Sequence, residues 1–200
     1  MAAPGRPPST TREEIEAVAL DLFATRGFDA TTVDDIAAAV GVGRRTFFRY
    51  FDSKNDIVWG DFDSVMERLR TALAGRGADV PLMEALRHGV VESNRYPPEQ
   101  LPGLRIRMTL ITDTPALEAH SALRYAAWRA VVAEFAAARL AADPADLMPQ
   151  VISQVALGTA MASFGRWVAH PEEDLEALLE EAFRALEVLD LSLVPGARPR

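Results

Sequence analysis

The 200-residue sequence contains no cysteine, which excludes disulfide bridges and thiolate metal sites. Its first ten residues contain no apolar run, so we expect no secretory signal. The longest uncharged run, Leu147 to Gly165, approaches the length of a membrane span, but it contains too many polar side chains for one. These absences favour a cytoplasmic protein with no membrane segment.

Patterns that indicate catalysis or metal binding are also missing. The three histidines, His88, His120 and His170, do not have the spacing of metal ligands. The sequence has no serine nucleophile elbow, no phosphate-binding glycine loop and no paired-carboxylate motif. We therefore expect neither an enzyme nor a bound metal or other cofactor.

The composition indicates the fold class. Apolar residues make up 49% of the chain, alanine and leucine are prominent, and strand-forming runs are scarce, which predicts an all-α protein. The net charge is −8, yet residues 1–54 carry seven basic and eight acidic side chains, so the acidic excess lies mainly in the remainder. An acidic remainder argues against non-specific coating of DNA.

The segment from Thr31 to Lys54 has the pattern of a helix, a tight turn and a second helix. Thr32 is placed to cap the first helix, and Gly41 can take the left-handed conformation that ends it. The apolar anchors expected in the second helix are Phe47, Phe48 and Phe51. This layout is typical of a helix-turn-helix DNA-binding unit, whose second helix enters the major groove.

Residues 12–60 resemble the N-terminal domain of TetR-family transcriptional regulators. The matching stretches are Ala19–Phe23, Gly27–Phe28, Thr32–Ala37, Gly41–Val42, Thr46–Phe51 and Ser53–Lys54. Two positions depart from the family pattern: Gly43 stands where a capping Ser or Thr is common, and Phe48 stands where Tyr is frequent. The stretch Arg44–Asp63 also resembles the subgroup that regulates mycofactocin gene clusters, for which an acyl-CoA type of effector is implied.

The resemblance and the helix pattern together predict a three-helix helix-turn-helix head, followed by a C-terminal helical domain for ligand binding and dimerisation. The expected boundaries are 1–10 for a disordered arm, 11–53 for the head, 54–191 for the helical domain and 192–200 for a frayed tail. Within the helical domain, we expect a long fourth helix from Lys54 to about Ala74.

The expected DNA-binding residues lie in or beside the second helix of the motif. They are Thr32, Arg44, Arg45, Thr46, Arg49, Tyr50 and Lys54. Arg44 and Arg45 are candidates for base edges, because arginine pairs bidentately with guanine. Thr32, Tyr50 and Lys54 are expected to hold phosphates. The expected partner is double-stranded DNA with a palindromic operator, since a dimer presents two heads to two half-sites.

The last two long helices each carry a seam that fits self-association. The first seam consists mainly of small residues, Val151, Val155, Gly158, Ala162 and Gly165, at alternating spacings of four and three. The second seam consists of Leu175, Leu179, Ala182, Leu186 and Leu189. Small residues let helix backbones approach closely, so the seams predict a homodimer with a four-helix interface. The alternative is that both seams pack inside one subunit.

The middle helices are expected to enclose an effector pocket, as the resemblance implies. The candidate lining residues are Met108, Ile111, Trp128, Val131, Phe135, Met161, Phe164 and Trp167. The alternative for each of them is a place in the ordinary core. His88, His120, Arg105 and Arg107 could meet a polar or anionic group of the ligand, but a satisfied histidine or a surface arginine is the preferred interpretation of each. A small apolar or acyl-CoA-type effector would tilt the fourth helix and release the DNA.

The sequence therefore predicts a homodimeric, ligand-responsive DNA-binding regulator that acts as a repressor. Two other classes stay open. One is a small-molecule (acyl) carrier or enzyme with an incidental helix-turn-helix, which would retain a ligand without any effect on DNA binding. The other is a ligand-independent architectural DNA binder, whose affinity would show weak sequence preference and depend on salt alone.

Overall fold

The computed structural model describes residues 10–187, except the side chains of residues 118 and 119. The structure is 76% helical, and the described residues contain no strand, which confirms the predicted all-α fold. The helices are α1 (Arg12–Arg26), α2 (Val33–Val40), α3 (Arg44–Phe47), α4 (Lys54–Trp59), α5 (Phe62–Ala74), α6 (Leu82–Ser93), α7 (Leu101–Asp113), α8 (Glu118–Leu140), α9 (Leu147–Ala169) and α10 (Leu175–Glu187). Short 3-10 turns lie at Pro98–Gln100 and Pro115–Leu117.

The chain divides into two compact units. The head unit contains the described residues up to Gly60 together with Pro102–Leu117, and the body unit contains Asp61–Leu101 and the described residues from Glu118 onwards. The sequence predicted a head that ends at residue 53. The structure instead groups α4 and most of α7 with the first three helices, because their apolar side chains complete the same core.

The head unit is built around one apolar cluster. Fully buried members come from four helices and the turn after α7: Ile15, Ile36, Phe47, Ile57 and Leu117. Ile106, Leu110 and Ile111 of α7 pack against this cluster. Burial of each large apolar side chain contributes roughly 1.5–3 kcal/mol, so the three short helices α2, α3 and α4 are stabilised mainly by this shared core.

The body unit contains α5, α6, α8, α9 and α10. Its α10 packs against both α6 and α9 through the buried Leu179 and Phe183. The buried Arg87 of α6 forms ion pairs with Glu180 and with Glu187, whose Oε1 lies 2.6 Å from the arginine Nε. The hydrogen bond from Arg87 holds the pKa of Glu180 below its ordinary value, so this carboxylate stays charged at neutral pH.

The predicted long fourth helix is wrong, because the helix is interrupted at Gly60. This residue adopts φ 57° and ψ −138°, a conformation that side chains disfavour, and it separates α4 from α5. The guanidinium of Arg107 lies against the same glycine. A Cβ placed on Gly60 would lie 3.1 Å from Arg107 Nη1.

Arg107 of the head unit holds the carboxyl end of α4. Arg107 Nη1 donates to the carbonyl oxygens of Ile57 at 2.5 Å and Val58 at 3.1 Å, and its Nη2 forms an ion pair with Glu16. Burial, together with the neighbouring charge of Arg12, lowers the pKa of Arg107 to about 10, so it remains a cation at neutral pH. The guanidinium of Arg107 is therefore occupied by contacts within the head.

Gly60→Ala should destabilise the head unit by roughly 1–3 kcal/mol, since the new methyl group combines a disfavoured backbone conformation with displacement of Arg107. Chemical denaturation would measure the lowered midpoint. Gly103→Ala is the matched control, because Gly103 lies in α7 of the same unit with open space at its Cβ position. An equal midpoint for Gly60→Ala and the wild type would show that the junction accepts a side chain.

Candidate nucleic-acid interface

The helix-turn-helix predicted from the sequence is present in the head unit. Thr32 caps α2: its hydroxyl accepts from the amide of Asp35 at 3.1 Å, and the Asp35 carboxylate accepts from the amide of Thr32 at 2.8 Å. Gly41 ends α2 with φ 78° in the left-handed region, as expected. The amide of Val42 then donates to Ala37 at 2.9 Å and closes the turn.

The second helix of the motif is short and is anchored by two rings. Phe47 and Phe51 are buried, and their centroids lie 5.7 Å apart. Phe48, which was expected to be a third anchor, is 41% exposed and packs edge-on against Phe47 at 5.3 Å. Its neighbour Phe47 already fills the core, so Phe48 points outward. The N-cap residue Gly43 makes no side-chain cap hydrogen bond, which matches its departure from the family pattern.

The three arginines of the motif are all exposed but differ in their contacts. Arg44 forms an ion pair with Asp34 at 3.0 Å. Arg49 lies over the ring of Tyr50 and donates to its hydroxyl at 3.0 Å. Arg45 makes no ion pair or side-chain hydrogen bond within the described part of the chain. Thr46, half-buried between them, donates its amide to Gly43 at 2.8 Å.

The residues expected to hold phosphates already have partners within the head. The Tyr50 hydroxyl donates to the carbonyl of Thr10 at 2.6 Å. Lys54 is half-buried, lies 4.3 Å from the Phe28 ring centroid and donates to the carbonyls of Phe28 and Thr31 at 2.7 and 3.0 Å. An ammonium has three donors, so one remains for a phosphate. The main structural role of Lys54 is thus to stabilise the loop between α1 and α2, and its phosphate contact stays a prediction.

The predicted effector residues do not form one group. Met108 and Ile111 lie on α7 in the head unit, where Ile111 packs on the head core. The remaining six lie on α8 and α9 of the body unit: Trp128, Val131, Phe135, Met161, Phe164 and Trp167. Among these six, Val131, Phe164 and Trp167 are buried, and the last two rings meet edge-on with centroids 6.5 Å apart.

A cavity of about 760 Å³ opens between α5 and α8 of the body unit. Its lining residues are Phe62, Asp63, Ser64, Met66, Glu67, Arg70, His120, Leu123, Arg124 and Ala127. None of the eight apolar residues predicted for the effector pocket is among them, but His120, considered from the sequence as a contact for a polar ligand group, is. Leu123, on α8, is 74% exposed and adds a large apolar side chain to this lining.

The first predicted dimer seam faces away from the core of its own unit. Val151 and Val155 are each 40% exposed, Gly158 and Ala162 are exposed, and Gly165 is half-buried. A Cβ added at either glycine would meet no atom within 4 Å. This face of α9 therefore offers open space for another helix.

The second predicted seam is wrong at two of its residues. Leu175 and Leu179 are buried within the body unit, because the apolar face of α10 packs on α6 and α9. Ala182 and Leu186 are half-buried, and Leu189 lies outside the described residues. Ala182 lines a groove between α9 and α10 with Ala162, Leu178 and Ala185, so the open side of α10 lies next to the first seam.

His170, Glu172 and Glu173 bring possible metal-ligand atoms within 4.8 Å of one another. Glu173 is engaged by Arg166, whose Nε lies 2.7 Å from its Oε2 and holds the pKa of the carboxyl below its ordinary value. The group therefore has the character of a surface ion-pair cluster. No helix among residues 10–187 is both long and apolar enough to cross a membrane.

A capped helix, a left-handed glycine turn and a short helix that presents three arginines define a helix-turn-helix DNA-binding protein. Comparison with known families agrees with this class. Residues 15–58 match the model for bacterial regulatory proteins of the tetR family, and residues 80–189 match the MftR C-terminal domain.

Individual relatives extend the match over most of the chain. MftR of Mycobacterium tuberculosis, whose name assigns it to transcriptional regulation of mycofactocin biosynthesis, is 40% identical over 179 residues, 90% of each chain. The transcriptional regulator TcmR of Streptomyces glaucescens is 31% identical over 90% of this chain and 82% of its own. The chain belongs to the TetR family of transcriptional regulators and shares the MftR type of C-terminal domain, which confirms the resemblance drawn from the sequence.

Solved structures show the same fold. A TetR-family regulator from Syntrophomonas wolfei superposes with a TM-score of 0.68 at 18% identity, over 92% of this chain and 96% of that one. FadR of Thermus thermophilus, a TetR-family repressor in complex with lauroyl-CoA, superposes with a TM-score of 0.54 at 26% identity, over 88% of this chain and 93% of FadR. The proteins to which the chain is similar are regulators, and the chain is a DNA-binding transcriptional regulator.

Proposed function

We propose that this protein is a homodimeric cytoplasmic repressor, without catalytic activity, that binds a palindromic operator and is released by a small apolar or acyl-CoA-type effector. The observation that carries the proposal is the helix-turn-helix, whose α3 is anchored by Phe47 and leaves Arg44, Arg45 and Arg49 exposed. In a dimer, two such helices enter successive major grooves about 34–36 Å apart.

The polar residues in and around α3 fall into two groups, one expected to contact base edges and one expected to contact phosphates. Arg44 and Arg45 lie in its first turn, and residues at the start of a recognition helix are those that contact base edges. Thr32, Thr46, Arg49, Tyr50 and Lys54 surround them and fit contacts to the phosphate backbone. The acidic excess outside residues 1–54 repels DNA from the rest of the protein and restricts binding to the head.

The first seam of α9 is the proposed centre of the dimer interface. Its glycines leave open space, and Val151 and Val155 expose apolar side chains that a partner helix would cover. The open side of α10, through Ala182 and Leu186, adds to the same interface. Two copies of α9 and α10 then form a four-helix contact across a two-fold axis.

The cavity between α5 and α8 is the proposed effector site. Phe62, Met66 and Leu123 supply apolar surface, and Arg70 and Arg124 supply cationic groups beside it, although Asp63 and Glu67 offset their charge. This mixture fits an amphipathic ligand with an apolar chain and a polar end. The lauroyl-CoA bound by the T. thermophilus FadR is a ligand of that kind.

We expect the full-length protein to bind DNA from immediately upstream of its own gene at least a thousandfold more tightly than a scrambled duplex at fixed physiological salt. Arg45→Ala should weaken binding to the preferred site by about 1–3 kcal/mol, because a bidentate base contact is lost. Fluorescence anisotropy measures both. Arg129→Ala on α8 removes the same charge from the body unit and is the control. An equal loss of affinity for the operator and for the scrambled duplex in Arg45→Ala would contradict a base-reading role of Arg45.

Gly158→Leu should convert the dimer into a monomer, because the new side chain keeps two α9 backbones from approaching. Light scattering coupled to size exclusion would then give a mass near 21.8 kDa instead of twice that value. Ala138→Leu, at an exposed position of α8, adds the same side chain outside the seam and should leave the dimer intact. An unchanged mass for Gly158→Leu would place the interface elsewhere.

Lauroyl-CoA should release the protein from its operator, whereas free coenzyme A should act much more weakly. Ala127→Trp should fill the cavity and raise the effector concentration needed for release about tenfold, with DNA binding unchanged in the absence of effector. Ala126→Trp is the matched control, since the neighbouring exposed alanine does not line the cavity. Equal responses of both variants and the wild type would exclude this cavity as the effector site.

A further inference from the structure

The guanidinium of Arg44 is held from two sides, by a carboxylate on α2 and by an aromatic ring. Its Nη1 donates to both carboxylate oxygens of Asp34 on α2, at 3.0 Å each. Its Cζ lies 5.2 Å from the ring centroid of Phe48. That ring is itself fixed edge-on against the buried Phe47. Arg44 is therefore oriented before any DNA arrives.

The contact with Asp34 leaves the other edge of the guanidinium available. Both carboxylate oxygens use Nη1, so Nε and Nη2 of Arg44 keep their N–H donors, and no described residue accepts from them. Two parallel donors on one edge match the O6 and N7 acceptors of guanine. The side chains of Arg44 and Asp34 are 60% and 69% exposed, so the pair is accessible to a DNA groove.

The charge of the pair has a second consequence. The Asp34 carboxylate offsets the charge of Arg44, so the pair adds little to the general attraction between the head and phosphates. Arg45, in the same turn of α3, has no such partner among residues 10–187 and can turn toward a base or a phosphate. Exposed ion pairs are weak in water, but exclusion of water by bound DNA strengthens them.

We propose that Asp34 is a specificity-determining positioning residue, which fixes Arg44 so that its Nε and Nη2 edge reads one guanine. When the guanine is present, Arg44 pairs with it while Asp34 keeps the side chain in place. When another base is present, Asp34 restrains Arg44 from turning to a nearby phosphate, so the mismatch is not compensated. Asp34 thus lowers affinity for DNA in general and increases discrimination. This inference rests on the proposed function.

Asp34→Asn should reduce the ratio of the affinities for operator and scrambled DNA about tenfold. The variant should also bind the scrambled duplex more tightly than the wild type does. Asp52→Asn is the matched control, because it removes the same charge from an exposed position just after the recognition helix and does not contact Arg44. Anisotropy on operators with each guanine replaced in turn would locate the base that Arg44 reads.

A double-mutant comparison separates positioning from a charge effect. Arg44→Lys keeps the charge but cannot pair bidentately, so it should lose the preference at that guanine while the dependence of affinity on salt stays the same. Asp34→Asn added to Arg44→Lys should then cause no further loss of discrimination. A preserved operator preference in Asp34→Asn, or an equal loss of discrimination in the Arg44→Lys background, would overturn the proposal. Failure of the wild type to prefer any operator would instead refute the proposed function.

Discussion

The DNA-binding surface depends on the burial of Phe47 and Phe51. The recognition helix α3 has a single turn, Arg44–Phe47, which is too short to be stable by its own hydrogen bonds. Its conformation is maintained because these two rings enter the core formed by α1, α2, α4 and α7. With the apolar side fixed, Arg44, Arg45 and Arg49 are left on the exposed side of the segment. The presentation of charge to DNA is thus a consequence of packing on the opposite side of the same short segment.

Most of the other cations of the head serve its interior. Arg107 binds the carbonyls at the end of α4, and Arg12 donates to the carbonyls of Tyr50 and Gly60 at 3.0 and 3.3 Å while its guanidinium lies 4.5 Å from the Phe51 ring centroid. Lys54 binds the loop that precedes α2. Helix ends leave carbonyls without partners, and a cation is well suited to satisfy several of them at once. A count of basic residues therefore overstates the positive charge available to DNA. The exposed arginines near α3 supply the charge that DNA can contact.

Local signals in the sequence predicted the head well. The cap at Thr32 and the turn at Gly41 depend on residues three or four positions away, so their geometry follows from the sequence. Apart from Phe48, which was expected to be a third anchor and is exposed, the errors concern contacts between distant segments. The break at Gly60, beside Arg107, cannot be inferred from local spacing. The inward face of Leu175 and Leu179 cannot be inferred from it either, because apolar seams look alike whether they pack inside a subunit or between subunits. The cavity between α5 and α8 was missed for the same reason.

The position of α7 within the head changes how an effector signal would reach DNA. A continuous fourth helix would act as a lever, but the break at Gly60 ends α4 inside the head. Arg107 joins α7 to α4 through two carbonyls, and the same residue is paired with Glu16 of α1. Because its guanidinium is desolvated, separating it from these partners would leave a buried charge unsatisfied, which costs far more than breaking a surface ion pair. Displacement of α7 is therefore expected to carry α1 and α4 with it, which would keep the geometry of α3.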